Sequence, residues 1–152
     1  MSDEGARAQG MAERAVATML ERDAFSRWLG VEVLRVAPNA STVRMTVRAE
    51  MANGFGVCHG GVTFALADSA LAFASNTGGR VTLSVENAIA YHQPVHVGDV
   101  LTAEADAEGG GRRLRFFRVV VRRQDGATVA IFRGTVYGTR TPLVPDADDP
   151  AP

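Results

Sequence analysis

A single cysteine, Cys58, is all the thiol this chain of 152 residues holds. It rules out an internal disulfide and suits a reducing cytoplasm, which is the expected location. No apolar run approaches the roughly 18 residues that a membrane-spanning helix needs. The N-terminus carries acidic residues and no apolar stretch of the kind that makes a secretory leader. Neither sign of charge dominates: 16 basic side chains stand against 17 acidic ones, for a net charge of −1. That balance argues against a general nucleic-acid binder, which carries a basic surplus or stripe. The hydrophobic share, 46%, is that of a soluble globular chain, and the length suits one domain better than two.

What is present falls into a clear order. Residues 1–10 are small and polar and are expected to fray. Between Met11 and Leu29, apolar residues recur at three- and four-residue spacings. That pattern predicts an amphipathic helix, broken near Asp23, which can cap a short second helix before Gly30. Residues 31–36 and 42–47 alternate apolar with polar side chains around the turn cluster Ala37-Pro38-Asn39-Ala40-Ser41, predicting a hairpin. A loop rich in Asn and Gly leads to a helical run over residues 60–75. Four strands follow, over residues 81–91, 100–107, 112–123 and 127–137. Pro94 with Gly98, Gly109-Gly110-Gly111 and Gln124-Asp125-Gly126 separate them. The tail from Thr139 is rich in Pro and Asp and is expected to be disordered. The domain organisation is then a helical or flexible segment (residues 1–22), one α+β domain (23–138) and a tail (139–152). The layer logic gives an antiparallel sheet wrapped around one long central helix. Val119, Val121, Val129 and Ile131 place apolar side chains on the second face of that sheet, where a further layer or subunit would cover them.

Asp68 is the oddest residue. It is the one charged side chain in residues 60–75, among Ala, Leu and Phe. Asp is a poor former of helix interiors. A helix apolar on nearly every side is a buried one, and a buried charge is costly unless paired or hydrogen-bonded. Asp68 therefore faces either a small polar gap or a working site, where such charges gather. His59-Gly60-Gly61 at the helix start favours the site. Free N–H groups there carry partial positive charge, and a Gly lets a carbonyl oxygen approach as it becomes an oxyanion. Gly60 and Asp68 stand about 12 Å apart at 1.5 Å per residue. That is too far for one helix to serve one carbonyl, so Asp68 is expected to meet the oxyanion site of a second copy of the chain.

Three runs carry a family likeness: Asn53-Gly54-Phe55-Gly56-Val57-Cys58-His59-Gly60-Gly61, Phe64-Ala65-Leu66-Ala67-Asp68-Ser69-Ala70 and Phe73-Ala74-Ser75-Asn76. Together they resemble the PaaI-type hotdog-fold thioesterases, the phenylacetic acid degradation family. The likeness continues through Gln93-Pro94, Gly98-Asp99 and Ala130-Ile131-Phe132-Arg133-Gly134. It implies a hotdog fold, hydrolysis of aryl- or phenylacetyl-CoA thioesters without metal or cofactor, and dimers paired into tetramers. It also implies roles. Asp68 is the catalytic carboxylate, as general base on water or as nucleophile. The Gly60 amide polarises the thioester carbonyl, with Gly61 beside it against the substrate. Asn53 orients the thioester or the water, and His59 shapes the oxyanion loop. Gly111-Arg112-Arg113-Leu114 departs from the family's turn, with Leu in place of Thr.

Other readings compete. Cys58 and His59 as a nucleophile and its base would need adjacent side chains to face each other. His59, His92 and His96 as metal ligands lack supporting Cys or carboxylate spacing. His59 could be the base of a hotdog dehydratase, and the whole domain could hold acyl-CoA without hydrolysing it. Arg112, Arg113, Arg115, Arg118, Arg122 and Arg123 are a basic run whose plain reading is a solvated strand face. For Arg112 and Arg113, at the turn, a cradle for the CoA phosphates is the alternative, since Arg forks suit phosphate oxygens.

Overall fold

Helix α1 (Asp3–Arg22) starts almost at the first residue. The computed structural model describes residues 2–145. The fraying expected of residues 1–10 is thus overturned for residues 2–10, for local and tertiary reasons; residue 1 lies outside the described residues. The Ser2 hydroxyl accepts from the Gly5 N–H at 3.2 Å, and Asp3 and Glu4 lie at the positive end of the helix dipole. Gln9 then reaches across to donate to the Val36 carbonyl at 2.8 Å, while Ala12, Ala15 and Val16 are buried. Asp23 ends α1 and caps α2 (Ala24–Leu29), its side chain accepting from the Ser26 N–H at 2.9 Å. The break near Asp23 is as expected.

The hairpin β1 (Glu32–Ala37) and β2 (Ala40–Thr46) comes next, then a 3-10 turn, then α3 (Gly60–Ser75). The last four strands are β3 (Arg80–Tyr91), β4 (Val100–Gly110), β5 (Leu114–Arg123) and β6 (Thr128–Pro142). They form one six-stranded antiparallel sheet in the order β1-β2-β4-β5-β6-β3. The α+β architecture, a sheet around one central helix, is the hotdog fold.

Two boundaries shift. Gly109 and Gly110 do not make the turn before β5. They are the last residues of β4, at φ of 148° and 113°, where the register slips by a bulge. At the other end, β6 runs through Pro142, past the expected end of the domain. Residues 146–152 of the expected disordered tail lie outside the described residues.

The core sits between α3 and the sheet. Leu66, Leu71 and Phe73 are fully buried against Val43, Leu101, Val119, Val121 and Phe132. Each such side chain contributes about 1.5–3 kcal/mol by leaving water. Val119, Val121 and Val129 thus belong to the inner face, correcting the expectation that they line the outer one; Val120 and Ile131 alternate outward, half-buried. Three of the last four carbonyls of α3 are held in place by polar side chains. Arg115 donates to Ser75 O at 2.6 Å, Thr77 to Ala74 O and Asn76 to Ala72 O. This fixes the axis of α3, and with it Asp68, against the sheet.

One side of this fold is open. Among the described residues, β3 pairs with β6 on one edge and with no strand on the other. Beside it, α3 shows a stripe of incompletely buried residues, Gly61, Phe64, Ala65, Asp68 and Ala72. They recur at three- and four-residue spacings, so they share one helix face. That face is apolar except for Asp68.

Candidate active site

Asp68 lies in the middle of α3, half-buried. Its Oδ1 accepts from Asn87 Nδ2 at 3.0 Å. Oδ2 has no partner among the described residues, yet it is not one of the buried unsatisfied atoms, so it faces water. Burial pushes the carboxyl above the usual carboxylate range, and the Asn87 hydrogen bond works against that rise. The result is a carboxyl that holds its proton more tightly than an exposed Asp does, with one oxygen tied and one open.

The helix start carries the second half. His59 caps α3: its Nδ1 accepts from the Gly61 N–H at 2.9 Å. His59 thus serves as the helix cap, with its Nδ1 taken up by the Gly61 N–H. The bond also uses up the Gly61 donor. The Gly60 N–H makes no hydrogen bond among the described residues and stands at the positive end of a sixteen-residue helix. Tyr91 packs on Gly60, its hydroxyl donating to the Gly60 carbonyl at 2.8 Å. A Cβ on Gly60 would lie 3.0 Å from both Cζ and the oxygen of Tyr91. Gly60, Thr63, Tyr91, Val95 and Val129 line a cavity of about 360 Å³ that also touches Val57 and Cys58.

Asn53 holds the preceding loop. Its Oδ1 accepts from the Phe55 and Val57 N–H groups at 2.9 and 3.3 Å, leaving Nδ2 as a donor with no partner among the described residues. Cys58 is buried, with its thiol pushed up chiefly by burial, and its sulfur contacts the His59 carbonyl and not the ring. A thiolate nucleophile is not prepared here. No cluster of three or more His, Cys, Asp or Glu among the described residues could hold a metal ion.

Arg112 and Arg113 lie in the turn before β5, where the Arg113 carbonyl accepts from the Gly138 N–H at 2.7 Å. They line a separate cavity of about 650 Å³ with Arg80, Tyr137 and Arg140. None of these four arginines pairs with a carboxylate among the described residues. Arg115, by contrast, is structural, and Arg122 and Arg123 pair with Glu104 and Asp125.

The family model described as "Thioesterase superfamily" matches residues 55–130, the stretch from the Gly60 loop through Asp68 to the middle of the sheet. The chain belongs to the thioesterase superfamily. It is 37% identical over 116 residues to the acyl-coenzyme A thioesterase PaaI of Escherichia coli, covering 76% of this chain and 83% of that one. The solved structure of the E. coli PaaI protein, from the phenylacetic acid degradation operon, superposes with a TM-score of 0.87 at 32% identity. That match spans 89% of this thioesterase and 98% of the PaaI chain. Human acyl-coenzyme A thioesterase 13 is 30% identical over 117 residues, 74% of this chain and 84% of its own. No helix among the described residues of this thioesterase is long and apolar enough to cross a membrane.

Within one chain the structure brings together His59, Gly60, Gly61 and Tyr91 at one place and Asp68 with Asn87 at another. Tyr91 and Asn87 were missed in the sequence. Their signal was parity: along β3, Asn87, Ile89 and Tyr91 share the face toward the helix.

Proposed function

We propose that this thioesterase hydrolyses acyl-CoA thioesters, of phenylacetyl or hydroxyphenylacetyl type, to the free acid and CoA. The observation that carries this is a half-buried carboxylate with an open oxygen on the same helix whose first N–H, that of Gly60, makes no hydrogen bond among the described residues. The acyl group is inferred from the PaaI relatives. Asp68 Oδ2 takes a proton from water, which attacks the thioester carbonyl. The oxyanion is stabilised by the Gly60 N–H, directed by the cap that His59 gives Gly61. Gly61, lacking a side chain, leaves room for the thioester beside it. Asn53 Nδ2 donates to the thioester or the water. Collapse expels the CoA sulfur, which recovers the proton from Asp68. The scheme uses no metal and no cofactor.

The two halves are brought together by a second chain. On α3, Gly60 and Asp68 are separated by about 12 Å. On β3, their neighbours Tyr91 and Asn87 are separated by about 13 Å at 3.3 Å per residue. The agreement means that one two-fold axis, near Ile89 on β3 and Phe64 on α3, can satisfy both. Antiparallel addition of a second β3 to the open edge would then set Asp68 of each protomer against Gly60 of its partner. It would also cover the apolar stripe on α3 and remove a twelve-residue free strand edge, a feature that proteins otherwise protect. Pairing of such dimers into a tetramer belongs to the same reading.

The arginine cavity is proposed to hold the CoA phosphates, with Arg80 and Arg140 joining Arg112 and Arg113. Free-thiol release from a panel of CoA thioesters tests the function. Phenylacetyl-CoA should be hydrolysed, and replacing Arg112 and Arg113 by Ala should raise KM about tenfold or more for it. The same variant should leave hydrolysis of the phenylacetyl thioester of N-acetylcysteamine, which lacks the nucleotide, unchanged. Binding of the CoA thioesters with no thiol release would instead make the domain a carrier or sensor.

A further inference from the structure

Asn87 makes the only hydrogen bond to the Asp68 carboxylate among the described residues, and the fold reserves space for it. It lies opposite Gly134 across the β3–β6 pair. A Cβ on Gly134 would come within 2.7 Å of Asn87 Oδ1 and would also collide with Leu71. The side chain absent from Gly134 is therefore the room that Asn87 occupies. Asn87 Oδ1 is buried without a partner. A side chain present only to fill this space would be apolar and would avoid that cost, as Ile89 does two residues on.

We infer that Asn87 is the positioning residue of the reaction: it fixes one oxygen of Asp68, turns the other toward water and favours the ionised form that accepts a proton. This rests on the reading of Asp68 as the base. The physical reason is specific to the donor. An N–H given to a carboxyl stabilises the charged state more than the neutral one. Without it, burial acts on Asp68 unopposed, and the carboxylate loses its fixed orientation. Charged groups on the surrounding elements do not substitute for Asn87. Asp23, the cap of α2, is bonded to Ser26, and Arg115 of β5 is bonded to the far end of α3. Arg44 of β2 pairs with Glu32 of β1, Glu104 of β4 with Arg122, and Arg133 of β6 faces Glu108, all at the surface. Glu86 of β3 is exposed. None contributes to the shift of Asp68.

The test is the pH profile of turnover for Asn87→Leu and Asn87→Asp, with Asn87→Ala as the smaller variant should Leu misfold. Circular dichroism, melting temperature and oligomer mass establish folding. Asn87→Leu should move the acid limb of kcat up by about one pH unit, the worth of one hydrogen bond to a charged group. It should lower the plateau about tenfold and leave KM within twofold. Asn87→Asp, nearly the same shape, should move the limb further, because a like charge also disfavours ionisation. Acid limbs that coincide with the parent in all the variants would overturn the inference. Should Asp68→Asn keep full turnover, the reading of Asp68 itself falls. Should Asp68→Asn be inactive while the Asn87 limbs stay put, only the role of Asn87 falls.

Discussion

Asp68→Asn is expected to fold, to melt higher than the parent at neutral pH, and to lose about 10²–10⁴-fold in turnover, the usual contribution of a general base. The loss follows from removing the proton acceptor while keeping the shape. The gain in stability follows from the direction of the carboxyl's shift. Burial raises its pKa in the folded protein above the unfolded value, so the folded state binds the proton more tightly. Stability from this group is then fully present below the unfolded pKa and is lost as pH rises through the folded one. Above that folded pKa the parent carries the loss, and the amide does not. The difference in melting temperature should therefore shrink as the pH is lowered below the usual carboxylate range. Thermal melts of both proteins at neutral and acid pH, beside thiol-release rates, check both halves. A variant that melted lower than the parent at neutral pH would place Asp68 in a stabilising role.

Gly60→Ala is expected to cost about 10²-fold in kcat with little change in melting temperature. The added Cβ would sit 3.0 Å from the Tyr91 ring and its oxygen. Either Tyr91 or the first turn of α3 must then shift by a few tenths of an ångström. The Tyr91 hydroxyl is bonded to the carbonyl of the same residue, so the shift passes to the N–H proposed to face the oxyanion. Misplacement of a reacting group is costly even when small, and loss of one oxyanion donor costs about 10²–10³-fold. Because the position is at a partly exposed helix start, folding should be spared. Steady-state kinetics with unchanged kcat would remove Gly60 from the chemistry.

How much of this was legible in the sequence differs by element. The central helix was read to the residue, since its Ala- and Leu-rich run is bounded by His59 and Asn76, a cap at each end. The strands came from alternation, and their existence held. What alternation does not reveal is which parity points inward when both carry apolar residues. Val119-Val120-Val121 is such a run, and for Val119 and Val121 the wrong face was chosen. Residues 1–10 have little apolar periodicity, and their helix depends on the Ser2 cap and on Gln9 reaching the hairpin. A bulge at Gly109 and a turn at Gly109 look alike in sequence. At the site, Asp68 announced itself as a charge in an apolar helix, and His59-Gly60 as a motif. Asn87 and Tyr91 meet them only through the sheet register, a long-range contact that the local sequence does not encode.

The central claim is that each site takes Asp68 from one protomer and Gly60 from its partner. Mixing the two inactive variants tests it most directly. In a hybrid of Asp68→Asn with Gly60→Ala, one site carries both defects and the other carries neither. Random pairing of equal amounts makes half the dimers hybrid, so activity should recover to about a quarter of the parent's. Co-refolding the two variants and measuring thiol release from phenylacetyl-CoA gives the answer. Recovery to that level is the predicted result. Activity no higher than the average of the two variants alone would contradict the account and would put both groups within one chain.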